Sequence, residues 1–79
     1  MKQEILKPWV LEALRALGGR GRVIEVARYV WANHEQELRQ EGDLLYTWQY
    51  DMRWAAQRLR HEGKLKAVNG DRSLPWELA

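Results

Sequence analysis

Thr47–Gly63 reads TWQYDMRWAAQRLRHEG and Lys64–Ala79 continues KLKAVNGDRSLPWELA, and the repeat of apolar residues changes at Gly63. Before it, Trp48, Met52, Ala55, Ala56 and Leu59 fall within about 100° of a helical wheel, which predicts a helix from a Thr47 cap to about Glu62 with that arc buried. Tyr50, Trp54, Gln57 and His61 fall on the opposite side, flanked by Arg53 and Arg58. Gly63 stands where a helix is expected to end in a left-handed residue. After it, Leu65 and Ala67, then Leu74, Trp76 and Leu78, alternate as in half-buried strands. Asn69-Gly70-Asp71 lies between these runs, and Asn-Gly accepts the positive φ of a two-residue hairpin turn. Pro75 has no N–H for a ladder, which predicts an edge position for the returning strand.

Upstream, Val10, Ala13, Leu14 and Leu17 recur at spacings of three and four, extended by Leu6 and Trp9. They predict a first helix starting at Lys7 or Pro8 and stopped by Gly18-Gly19. Val23, Val26, Ala27 and Val30, with Trp31 or His34, predict a second helix after the basic connector Arg20-Gly21-Arg22. His34 to Gly42 is polar and acidic and reads as a loop or a short solvated helical turn. Asp43-Leu44-Leu45-Tyr46 is ambiguous.

The 79 residues are enough for one domain, 1–79, sharing one core. The predicted class is mainly α with a small β-hairpin: a winged helix-turn-helix, three helices followed by a C-terminal wing. With no cysteine, the core rests on packing, and Trp9, Trp31, Trp48 and Trp76 are expected inside it. Trp54, whose wheel position is opposite the core, either packs against the wing or faces a ligand. The absence of cysteine also excludes thiol chemistry and zinc fingers. No run approaches a membrane span or a signal-peptide core, so a soluble cytoplasmic protein is expected.

The net charge of +2 is weak evidence of any partner. Its distribution is more informative. Glu35, Glu37, Glu41 and Asp43 stand against Arg39, a net −3; Arg53, Arg58, Arg60, Lys64 and Lys66 stand against Glu62, a net +4. The basic block coincides with the predicted third helix and the start of the hairpin.

Three stretches carry a family resemblance. Pro8-Trp9-Val10-Leu11-Glu12-Ala13-Leu14 with Gly18-Gly19, the second-helix spacing Val23 to Val30, and Tyr50-Asp51-Met52-Arg53-Trp54-Ala55 with Leu59, Gly63 and Leu65 together resemble the N-terminal winged-helix domain of Mrr-type restriction proteins. Trp76 and Leu78 fit that domain's closing wing strand. The resemblance implies a DNA-targeting module that normally sits beside a nuclease domain. No spaced Asp and Glu-x-Lys cluster follows the wing, so targeting is expected without cleavage.

Independently of that resemblance, a helix fits the major groove, where amide and guanidinium groups pair with base edges and cations hold phosphates. Gln49, Tyr50, Arg53 and Gln57 are the candidates for base edges, with Thr47 near a phosphate at the helix start. Tyr50 has a second reading, an aromatic tucked under the preceding loop. Arg58, Arg60, Lys64, Lys66 and Arg72 are the phosphate candidates, Asn69 leads the wing tip, and Arg20 and Arg22 are weaker candidates. The expected partner is double-stranded DNA, with a homodimer compatible and with no small-molecule substrate, cofactor or metal. His34 and His61 lack a matching ligand set. Asp51 and His61, ten positions and about 15 Å apart on one helix, do not cooperate as acid and base, so no enzyme is expected. The competing reading is a winged-helix protein-interaction or dimerisation module, motivated by the modest net charge, the acidic segment and the many Trp.

Overall fold

The computed structural model describes residues 2–66 and 75–79. A 3-10 turn, Lys2–Ile5, runs directly into helix α1, Leu6–Ala16, which places Pro8 in the first turn where its missing N–H costs nothing. Leu6, Trp9, Val10, Ala13 and Leu14 form its buried face. The helix closes when Gly18 N–H donates to Arg15 O at 3.3 Å and Gly19 N–H to Leu14 O at 2.7 Å, the paired bonds of a Schellman motif.

Strand β1, Arg20–Gly21, then leads to helix α2, Val23–Gln40. Arg22 N–H donates to Glu25 Oε1 at 2.9 Å, one half of a capping box, since a guanidinium has no acceptor for the return bond. Of the two readings of His34 to Gly42, the helical one is the nearer: the helix bends at His34, where φ is −130° and ψ is 17°, and continues to Gln40. The cause is Leu38, which is fully buried one turn beyond His34 and anchors a segment whose other residues are solvated. Burying one such side chain contributes about 1.5–3 kcal/mol, enough to hold an otherwise polar turn and a half in place.

Helix α3, Leu44–His61, begins three residues before the expected Thr47 cap. Leu44 is buried and fixes the first turn to the core. The N–H groups of Leu44, Leu45 and Tyr46 donate to Glu41 O, Gly42 O and Asp43 O at 3.4, 3.1 and 2.9 Å, so the preceding turn satisfies the helix start. As predicted, Trp48, Met52, Ala55, Ala56 and Leu59 face inward. At the other end Gly63 adopts a φ of 77°, allowing Lys64 N–H to reach Leu59 O at 2.9 Å and Gly63 N–H to reach Arg60 O at 3.1 Å.

The β structure is small and antiparallel. Strand β2, Trp76–Glu77, pairs with β1 in the register Arg20↔Glu77 and Gly21↔Trp76, and Leu65 bridges Leu78. Leu78 N–H donates to Gly19 O at 2.8 Å, while Lys66 N–H donates to Glu77 O at 2.9 Å and Ala79 N–H to Lys64 O at 3.1 Å. Residues 76–78 are therefore bonded on both sides, which corrects the expected edge position. Pro75 is tolerated because it precedes the first paired residue. The predicted turn at Asn69-Gly70-Asp71, with Ala67 and Leu74, lies outside the described residues. Leu65 and Trp76 join the buried faces of all three helices in one cluster, so the β ribbon caps the same core that aims α3 outward.

Candidate functional site

The surface opposite the core of α3 carries Tyr46, Tyr50, Arg53 and Gln57 at successive spacings of four, three and four, one stripe along the helix. Tyr46 is 85% and Tyr50 79% exposed, so neither aromatic takes part in packing, and the tucked-under reading of Tyr50 does not hold. Arg53 and Gln57 are exposed beside them, and Arg53 has no ion pair among the described residues. Gln49 is also exposed, on the flank of the stripe nearest α2.

Thr47 is not at the helix start. Its hydroxyl donates to Asp51 Oδ2 at 2.7 Å and lies 3.3 Å from Asp43 O, inside the first turns of α3. With the first N–H groups already bonded, this end of the helix is poorly suited to the phosphate contact expected there.

The cations differ in how free they are. Arg58 is exposed and its guanidinium stands 5.9 Å over the ring of Trp54, which is half-buried against the core. Arg60 is half-buried, and burial lowers its pKa from the ordinary arginine value. Lys64 Nζ lies 3.7 Å from Glu62 Oε1, and Lys66 Nζ lies 3.0 Å from Glu77 Oε2. Lys7 also bonds Glu62, which is thereby shared between two lysines. Much of the +4 block is thus balanced locally, and Arg53 and Arg58 are its less encumbered members. Arg20 and Arg22 are exposed beside β1, Arg20 directly opposite Glu77. Asn69 and Arg72 lie outside the described residues.

His34 has both ring nitrogens engaged, Nδ1 with Glu37 Oε2 and Nε2 with Glu12 Oε2, each at 3.0 Å. Its imidazole is stacked on Trp9, which makes it a tie between α1 and α2 rather than a free base. Desolvation first, and then the nearby Glu12 carboxylate, raise the Tyr29 pKa. His61 is exposed at the end of α3. Among the described residues no group of three or more His, Asp and Glu is placed to hold a metal ion, and no helix is long and apolar enough to cross a membrane.

Two features escaped the sequence reading. Tyr46 extends the exposed stripe by a full turn, and its signal was the spacing to Tyr50, Arg53 and Gln57. The other is an open cleft of about 350 Å³ between α2 and α3, lined by Ile24, Ala27, Arg28, Trp31, Leu45, Trp48 and Gln49. Trp31 and Trp48 stack in parallel there, ring centroids 5.9 Å apart. Comparison with known proteins finds no matching family model, no matching curated protein and no matching solved structure.

Proposed function

We propose that this protein is a winged helix that binds double-stranded DNA, with α3 in the major groove and the strands after it against the backbone. The observation that carries this reading is the α3 stripe. Arg53, Gln57 and the neighbouring Gln49 are the side-chain types that pair with base edges; Arg53 and Gln57 are exposed on the far side of the helix from its core, and Gln49 is exposed on its flank. The order α1, β1, α2, α3 and closing β ribbon is compatible with a winged helix, and Lys64 and Lys66 follow α3 directly on the element that would approach phosphates. The resemblance to the DNA-targeting domain of Mrr-type restriction proteins supports the same reading. The role would be that of a cytoplasmic regulator of transcription or of a stand-alone targeting domain of a restriction system, binding DNA without cutting it and without a cofactor.

The test is duplex binding by fluorescence anisotropy at fixed moderate salt, comparing the wild type with the triple variant Arg53→Ala, Lys64→Ala, Lys66→Ala. Binding that ignores the triple change would sink the proposal.

One observation favours a second reading. Two tyrosines as open as Tyr46 and Tyr50, one turn apart, offer the kind of anchor that protein interfaces bury. A protein-interaction or dimerisation module predicts that Tyr50→Ala abolishes partner binding while duplex affinity is negligible from the outset.

A further inference from the structure

The face of α2 beside the α3 cleft changes character along its length. Arg28 lies on its first half; Ile24, which is 57% exposed, and Trp31 supply apolar surface; Glu35 follows one turn later, with Arg39 bonded to it. A cation before the apolar middle and a carboxylate after it give a pair that complements itself when the face is turned through 180°. That is the requirement of a two-fold contact, in which one patch meets its own copy.

The residue positions fit such an axis. Arg28 lies three positions before Trp31 and Glu35 four positions after it, so two α2 helices crossing antiparallel at Trp31 set Arg28 of each copy opposite Glu35 of the other. Arg28 has no ion pair among the described residues. Glu35 is exposed enough to receive it: its side chain is 42% exposed, and the bond from Arg39 Nε, at 2.8 Å, uses Oε2. Arg39 also stands 5.6 Å over Trp31, so the contact would group charge and aromatic surface at its centre.

We propose that this face binds a second copy of the chain, with α2 antiparallel to α2 and the two Arg28–Glu35 pairs flanking Trp31. The proposal does not rest on the DNA reading, because the contact leaves Tyr46, Tyr50 and Arg53 outside it and forms without nucleic acid.

Sedimentation velocity of the full chain over a concentration series tests it, with no DNA present. The wild type is expected to show a monomer–dimer equilibrium with a dissociation constant on the order of micromolar to tens of micromolar. Arg28→Glu and Glu35→Arg each place like charges across the axis and are expected to weaken self-association about tenfold or more. Mixing the two variants restores opposite charges at both contacts and is expected to recover dimers, while circular dichroism reports intact helices throughout. A wild type that stays monomeric up to about 1 mM, a dimer indifferent to both changes, or a mixture that fails to recover overturns the proposal.

Discussion

The imidazole of His34 lies flat on the indole of Trp9, ring centroids 4.1 Å apart and planes 11° from parallel. Glu12 on α1 and Glu37 on α2 hold its two nitrogens. The stack and bonds sit at the bend of α2 and connect its last turns to α1. His34→Ala removes both and is expected to cost about 1–3 kcal/mol, read from urea unfolding. An unchanged urea midpoint would show that the bend is held by Leu38 alone.

Leu38 is the deeper anchor. Leu38→Ala leaves a void in the core and is expected to cost about 2–5 kcal/mol. Hydrogen exchange should speed up first in residues 35–40. Uniform acceleration across α1 would contradict a local role.

Glu62 gives the fold an acid-sensitive contact. The bond from Lys7 lowers its carboxyl pKa below the ordinary 4.5, against a smaller opposing effect of desolvation, with the charges of Lys7 and Lys64 adding to the lowering. A carboxyl whose folded pKa is depressed contributes stability above its unfolded value and loses it as pH falls through the folded one. Wild-type stability is therefore expected to drop more steeply than that of Glu62→Gln between about pH 5 and pH 3. Because the group is solvent-accessible, the difference should shrink in high salt. Parallel acid limbs for the two proteins would remove Glu62 from the account.

Among the cations, pairing predicts an order. Arg53→Ala is expected to weaken duplex binding by about 1–3 kcal/mol if it reads a base edge. Lys66→Ala should cost less, because Lys66 already bonds Glu77 and must give up that bond to meet a phosphate. Equilibrium binding of the two variants to one duplex at one salt concentration checks the order, and the reverse ranking would move the contact from α3 to the strands.

The buried face of α3 was legible in advance because five residues on one arc define a helix whatever surrounds it. The start of that helix was not: Asp43-Leu44-Leu45-Tyr46 has no cap residue that bonds, and the burial of Leu44 is a tertiary effect. The length of α2 was hidden for a related reason. Its polar residues from Glu35 to Gln40 read equally as a loop or a short helical turn, and only the burial of Leu38 shows that they continue the helix. The position of residues 76–78 depended on Arg20 and Gly21, more than fifty residues earlier, and local alternation carries no record of that pairing. Of the candidate site, Gln49, Tyr50, Arg53 and Gln57 followed from the wheel, whereas the local balancing of Lys64 and Lys66 required knowing where Glu62 and Glu77 fall.

Amide chemical-shift mapping on adding a short duplex reports directly on whether α3 meets DNA. The largest changes are expected on Tyr46, Gln49, Tyr50, Arg53 and Gln57, extending to Lys64 and Lys66 and sparing the buried face of α1. A spectrum that does not move, or one that moves along α1 while α3 stays still, would contradict that contact.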